Sequence, residues 1–206
     1  MSLCPGRQVA PKLPAPSRFP GIYSANLLGQ DLRKLAHDGA PASSLYGAEL
    51  ESQYLELGYE LFLDRDTLGA TFVIANVLDE QGPLKELDGK MDIVHIGLFL
   101  HLFDLKEQQK ICERIVRLLK KERGTLVLGT QVGSTQPKNV PFGTAKNVFR
   151  HDEKTFVAMW ERVGENTDSE LMVTVTMDGG LGVGAKKRSW DDDYTRRLVF
   201  EVERIR

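Results

Sequence analysis

The spacing of apolar residues along the chain predicts alternating helices and strands from Gly29 onward. Apolar positions recur three and four residues apart in segments that predict amphipathic helices, namely 30–36, 54–62 and 106–121. Short, largely apolar runs lie between these helices and predict strands at 45–50, 71–75, 91–96 and 124–132. Because strands that alternate with helices build a parallel sheet covered by helices, we expect an α/β fold.

The pattern changes near the C-terminal end. Asp152 is a suitable N-cap for one more helix, whose apolar face comprises Phe156, Met159, Trp160 and Val163. Apolar residues then alternate in two segments, first Leu171, Val173, Val175 and Met177, and later Leu198, Phe200 and Val202. Two strands joined without a helix predict an antiparallel pair. The expected sheet is therefore mostly parallel and ends in a C-terminal antiparallel hairpin.

Residues 1–20 differ from the rest of the chain. They contain five of the nine prolines and show no apolar periodicity. Each proline lacks an amide donor and restricts the residue before it, which disfavours regular structure. We expect a Pro-rich disordered arm at 1–20 and a single domain, without internal repeats, at 21–206.

Composition narrows the classes of partner. The net charge of the 206 residues is −2, so the basic surface that nucleic acids and anionic membranes require is not expected. No run approaches the roughly 18 apolar residues that cross a bilayer. The two cysteines, Cys4 and Cys112, form neither a disulfide framework nor a metal-binding pattern. These observations favour a cytoplasmic protein that acts on a small molecule and holds no metal.

Two polar residues follow neighbouring predicted strands. In a parallel sheet, ligands bind at the carboxyl ends of the strands. Glu49 ends the strand at 45–50, where a carboxylate can accept hydrogen bonds from ribose hydroxyls or simply favour the start of the next helix. Asn76 follows the strand at 71–75, where its amide can contact an adenine edge beside Val77 or cap the following loop.

Further candidates follow the next strand. His95 and His101 flank a short apolar run, and Gly97 within it suits a close approach of the backbone to a ligand. Each histidine is also compatible with a structural role. The glycine-rich run at 180–185 follows a strand but precedes no helical apolar face, so we interpret it as a loop and not as a nucleotide-binding turn.

Several stretches, in this order and spacing, resemble class I S-adenosylmethionine-dependent methyltransferases, and most of all the branch found in fungal secondary-metabolite clusters. They are 29–35, 45–50, 87–95, 99–103 and 126–133, so the resemblance extends from Gly29 nearly to the end. It implies a Rossmann-like methyltransferase sheet and S-adenosylmethionine as cofactor. The cofactor-binding positions that it implies are Gly29, Glu49, Leu50, Asn76, Val77 and Gly97.

The sequence departs from this family at two places. The family usually has Asp at the position of Asn76, although an amide can still form hydrogen bonds. The family also begins its sheet with an apolar strand and an Asp-x-Gly-Cys-type loop, whereas residues 19–28 lack the acidic residue and the glycines before Gly29. We therefore expect a first strand that is degenerate or missing, an N-terminally truncated or altered product, and weak binding of S-adenosylmethionine.

The resemblance implies O-methylation of a carboxyl or hydroxyl group on a small secondary-metabolite intermediate. A carboxylate needs no general base, whereas a hydroxyl would benefit from one, and His101 is the candidate base or orienting donor. Two alternatives stay open at this point. One is an inactive remnant or interaction protein, which the altered segment before Gly29 favours, and the other is a nucleotide-dependent oxidoreductase on the same kind of sheet.

Overall fold

The computed structural model describes residues 20–25, 28–142, 146–179 and 192–206. Its strands are β1 (Ile22–Ala25), β2 (Leu45–Glu49), β3 (Thr71–Ile74), β4 (Ile93–Gly97), β5 (Leu126–Ser134), β6 (Lys138–Phe142), β7 (Lys146–Arg150), β8 (Leu171–Asp178) and β9 (Thr195–Arg204). Its helices are α1 (Gln30–His37), α2 (Ser52–Phe62), α3 (Leu105–Leu118) and α4 (Glu153–Asn166). Short 3-10 helices lie at Ala42–Ser44, Pro83–Leu87 and Leu100–Leu102.

Seven strands form one sheet in the order β3-β2-β1-β4-β5-β9-β8. The five strands from β3 to β5 are parallel, while β9 is antiparallel to both β5 and β8. The predicted mostly parallel α/β sheet with a C-terminal antiparallel hairpin is therefore confirmed. Strands β6 and β7 form a separate antiparallel pair that the apolar pattern did not predict.

The first strand was expected to be degenerate or missing; it is present, with only four residues, so the second alternative is wrong. β1 lies at the centre of the sheet, with Tyr23 opposite Tyr46 of β2 and Val94 of β4. Its start is fixed because the Gly21 carbonyl accepts hydrogen bonds from the amides of Asp92 and Ile93. Pairing on both sides explains why a segment unlike the family's first strand still becomes one: its backbone groups are satisfied whatever its side chains are.

Helix α3 ends three residues before the predicted limit of 121. Leu119 is extended and buried, and it forms a parallel bridge with Met91 just before β4. The amide of Lys120 also donates to the Met91 carbonyl. Tertiary pairing therefore ends a helix that sequence periodicity would extend.

Both long helices begin with a capping box. Asp104 forms one with Glu107 at the start of α3, and the predicted N-cap Asp152 forms one with Thr155 at the start of α4.

The largest apolar core lies between the sheet and the pair of helices α3 and α4. Trp160 and Phe156 are fully buried there, and the ring of Phe156 packs 4.8 Å from that of Phe200 on β9. Among the described helices, none has the length and apolar character needed to cross a bilayer. The expected arm at 1–20 and the glycine-rich run at 180–185 lie outside the described residues, apart from Pro20.

Candidate functional site

A cleft of about 650 Å³ opens where the parallel strands end. Residues on or directly after β1, β2, β3, β4 and β5 all contribute to its wall. The lining residues are Tyr23, Gln30, Asp31, Ala48, Glu49, Leu50, Ala75, Asn76, Val77, His95, Gly97, Leu98, Phe99, Leu102, Phe103 and Thr130. Its volume falls in the range typical of small-molecule sites. A smaller cavity near the end of α4 lies away from the strand ends.

Glu49 is the last residue of β2 and directs its carboxylate to the start of α2. Its Oε1 accepts hydrogen bonds from the backbone amides of Leu50, at 2.8 Å, and Glu51, at 3.1 Å. These contacts fix the side chain at the cleft wall. Within the part of the chain that the structure describes, no donor contacts Oε2. One carboxylate oxygen therefore faces the cleft as an acceptor.

Asn76 follows β3, the strand next to β2, so it lies on the same side of the cleft as Glu49. Its Oδ1 accepts a hydrogen bond of 2.9 Å from the amide of Leu78, which holds the turn after the strand. The half-buried Val77 and the exposed Leu50 lie nearby on the same wall. This end of the cleft is therefore apolar, with one amide at its edge.

The middle of the cleft contains a small polar group around His95. The Nδ1 of His95 lies 3.3 Å from Ser24 Oγ on β1 and 3.5 Å from a carboxylate oxygen of Asp31 on α1. Gly97 leaves room for this ring, because a Cβ at that position would lie 3.2 Å from its Cε1. Asp31 brings a negative charge to the cleft from the first turn of α1.

Tyr23 lies at the base of the cleft, on β1. Burial raises the pKa of its phenol well above the ordinary value, an effect that the Arg114 charge opposes and the Glu49 charge reinforces. The hydroxyl therefore stays protonated over the whole physiological pH range and can donate a hydrogen bond. Tyr23 is a cleft residue that the sequence analysis did not single out.

The far end of the cleft is apolar and follows β4. Leu98, Phe99, Leu102 and Phe103 form its wall. Leu98 has a φ of 51°, a left-handed conformation that is costly for a branched side chain. The rings of Phe99 and Phe103 meet edge to face at 5.1 Å. The hairpin β6–β7 supports this wall, since the amide of Phe149 donates to the Phe103 carbonyl.

Gly29 is the one residue of the predicted set that does not line the cleft. It is the N-cap of α1 with a φ of 66°, and a Cβ there would collide with the ring of Phe72 and the guanidinium of Arg33. Arg33 is itself held by Asp64 and donates to the Leu28 carbonyl. This glycine therefore serves packing between α1 and β3, while the adjacent Gln30 and Asp31 reach the cleft.

The structure brings the other five predicted residues together, namely Glu49, Leu50, Asn76, Val77 and Gly97. His95 also lines the cleft, whereas His101, in the 3-10 helix Leu100–Leu102, is not among the lining residues. The described residues include no group of three or more His, Cys, Asp or Glu side chains that could hold a metal ion.

Comparison with known proteins adds sequence relatives and a shared fold. No family model matches the chain. It is 45% identical over 179 residues to the O-methyltransferase atr3 of Stereocaulon alpinum, covering 85% of this chain and 51% of the relative. It is 35% identical over 192 residues to the O-methyltransferase phiE of a fungal species, covering 86% and 64%. The chain thus spans about half to two thirds of the length of these relatives.

A solved structure shows the same fold at low identity. The phospholethanolamine N-methyltransferase 2 of Haemonchus contortus, in complex with phosphomonomethylethanolamine and S-adenosylhomocysteine, superposes with a TM-score of 0.64 at 13% identity. The match covers 90% of this chain and 48% of that one. The solved structure shows that the fold is shared, and the two sequence relatives, at 45% and 35% identity over most of this chain, support a class I S-adenosylmethionine-dependent methyltransferase of the branch of fungal secondary-metabolite enzymes.

Proposed function

We propose that the cleft binds S-adenosylmethionine and that the protein O-methylates a carboxyl or hydroxyl group of a small secondary-metabolite intermediate. The observation that carries this proposal is the pair Glu49 and Asn76. They follow adjacent parallel strands and line one cleft. A carboxylate at the end of the second strand, with a base-sized apolar wall beside it, is the arrangement that parallel sheets use for nucleosides.

The described residues suit the parts of this cofactor. Glu49 Oε2 can accept hydrogen bonds from the ribose hydroxyls, and the wall formed by Leu50 and Val77 can flank the flat base. Asp31 and His95 lie further along the cleft, beyond β1, where they would face the amino acid portion. Gly97 belongs to the same part of the wall.

When bound, S-adenosylmethionine would supply a sulfonium methyl group for direct displacement by an acceptor oxygen, with S-adenosylhomocysteine as the leaving group. The protein has to align the two reactants and keep water away. The wall of Leu98, Phe99, Leu102 and Phe103 is the apolar surface next to the proposed amino acid portion, so it can hold the acceptor. A carboxylate acceptor arrives ionised. For a hydroxyl acceptor, His95 is the cleft histidine that can take the proton.

Calorimetric titration of the 206-residue chain with S-adenosylhomocysteine tests the proposal. Residues 24–28 lack the acid and the glycines of the family's first loop, so we expect measurable but weak binding. Glu49→Ala should weaken it by roughly tenfold to a hundredfold, because a hydrogen bond to a charged group is lost. Glu60→Ala is the matched control, since Glu60 is an exposed residue of α2 outside the cleft.

Each other outcome has a distinct meaning. Unchanged affinity in Glu49→Ala would remove Glu49 from the site. Tighter binding of NADH than of S-adenosylhomocysteine would favour the oxidoreductase alternative, which shares the use of a ribose-binding acid. Failure of the wild-type chain to bind either S-adenosylhomocysteine or NADH would favour an inactive remnant. Low-micromolar affinity would contradict the expectation that the altered segment before Gly29 weakens binding.

A further inference from the structure

The amide group of Asn76 has a fixed orientation at the base end of the cleft. Its oxygen Oδ1 accepts the hydrogen bond from the Leu78 amide. Only the oxygen of a carboxamide can accept from an N–H group, so the nitrogen Nδ2 must lie on the other branch of the side chain. No described residue hydrogen-bonds to Nδ2. The group that Asn76 leaves for a ligand is therefore a donor.

A carboxylate at this position would leave the opposite kind of group. Asp could cap the same turn with one oxygen and present its second oxygen as an acceptor. The 6-amino group of adenine donates hydrogen bonds, so it suits a free acceptor and not a free donor. The 6-oxo group of hypoxanthine accepts hydrogen bonds, so it suits Nδ2. Adenine N1 is an acceptor beside that amino group, so Nδ2 can still meet adenine, but only by leaving the 6-amino group without a partner at residue 76. The identity of residue 76 therefore biases the cleft toward one purine 6-substituent.

We propose that Asn76 is a base-specificity residue that relaxes the selectivity of the cleft for 6-aminopurine over 6-oxopurine nucleosides. This inference rests on the proposed function, because it requires that the cleft bind the nucleoside at all. It concerns the ratio of two affinities, so contributions that both purines share, such as the ribose contact to Glu49, cancel. Residue 76 should alter this ratio while leaving the turn intact, since Asp can also accept from the Leu78 amide.

The test is a cycle of four titrations on the full chain. Wild-type protein and Asn76→Asp are each titrated with S-adenosylhomocysteine and with S-inosylhomocysteine, which differ at the purine 6-position and at the N1 proton. We expect Asn76→Asp to raise the preference for the adenosyl compound by roughly tenfold or more, the usual consequence of exchanging a matched for a mismatched polar pair. Asn139→Asp, on the exposed strand β6, adds the same charge away from the cleft and should leave the ratio unchanged.

The outcomes separate this inference from the proposed function. If both compounds bind but the ratio changes less than threefold in Asn76→Asp, the inference is wrong and the nucleoside site stands. If neither compound binds the wild-type chain or Asn76→Asp, the proposed function fails and the inference fails with it. Thermal unfolding of Asn76→Asp at the wild-type temperature would show that the turn at Leu78 is preserved, so that a changed ratio reports on the base.

Discussion

The two halves of the sheet are built differently. Strands β1, β2 and β3 have four or five residues, and β3 contains no buried residue. Strands β5, β8 and β9 have eight to ten residues and carry the antiparallel closure. Helices α3 and α4 each begin with a capping box, whereas α1 and α2 lack a side-chain cap within the described structure.

Burial follows the same division. The exposed large apolar residues concentrate around α2, namely Leu50, Tyr54, Leu57, Leu61, Phe62 and Leu63. In contrast, the helices α3 and α4 bury Trp160 and Phe156 completely. Because apolar burial is the main favourable term in folding, the half with α3 and α4 should provide most of the stability. The half with α1 and α2 provides Glu49 and Asn76, so the proposed nucleoside site lies on the less stable part of the fold.

The largest expected effect comes from a large-to-small substitution in the core beside α3 and α4. Phe156→Ala should lower the free energy of unfolding by about 3–5 kcal/mol, because it removes a fully buried ring and leaves a cavity. Phe72→Ala, at a half-buried ring on β3, should cost only about 1–2 kcal/mol. Urea unfolding followed by circular dichroism compares the two. Equal losses would show that the halves contribute alike.

The sequence was sufficient to predict most of this architecture. Side chains repeat every 3.6 residues along a helix and every two along a strand, so the two kinds of element can be told apart. This difference revealed the succession of helices and strands from residue 30 to 132 and the two strands around Val173 and Phe200. The hairpin β6–β7 was missed because β6 contains Pro141 and polar residues, and its pairing depends on a local partner. β1 was expected to be degenerate or missing because its side chains differ from the family, yet its two neighbours supply its backbone pairing.

The site was predictable to the extent that it follows strand ends. Glu49, Asn76 and Gly97 end or follow strands whose order places them together. Tyr23 and Asp31 were missed, because their positions depend on how β1 and α1 enter the sheet. His101 lies in a 3-10 helix of three residues, and so short a helix has no apolar period from which its place relative to the cleft could be predicted. Gly29 packs against Phe72 and Arg33 outside the cleft lining, and its predicted role in cofactor binding stays a prediction.

The half with α3 and α4 should also make the stability of the protein depend on pH, because it contains the buried His151. Burial lowers the pKa of His151 from 6.5 to about 4, and its ring lies between those of Phe149 and Phe156. Between these two pH values the unfolded chain binds a proton that the folded chain does not. The free energy of unfolding should therefore fall as the pH drops from about 6.5 to about 4, by about 2 kcal/mol at pH 5.

His151→Phe isolates this contribution, since it keeps an aromatic ring but cannot titrate. The difference in unfolding free energy between wild type and variant should change by about 2 kcal/mol between pH 7.5 and pH 5. Carboxylates that titrate in both proteins cancel in this difference. A constant difference across that range would show that the His151 ring gains a proton as readily in the folded protein as in the unfolded chain.

The smallest expected effect concerns the helix caps. Adding a cap to α2 should reduce the difference in stability between the two halves. Glu51 is the N-cap of α2 in an extended conformation, and it forms no side-chain cap. Glu51→Ser should raise the free energy of unfolding by about 0.5–1 kcal/mol, because a serine hydroxyl can accept from a free amide of the first turn. Asp152→Ala, which removes the cap of α4, should lower it by about 1 kcal/mol.

Thermal unfolding measures both changes, which correspond to roughly 2–4 °C per kcal/mol for a chain of this size. Glu51→Ala separates the gain of the hydroxyl from the loss of the glutamate. Glu49 already satisfies the amides of Leu50 and Glu51, so the serine has to act on the amides that follow. If Glu51→Ser and Glu51→Ala unfold at the same temperature, the weakness of this half lies in its exposed apolar face and not in its caps.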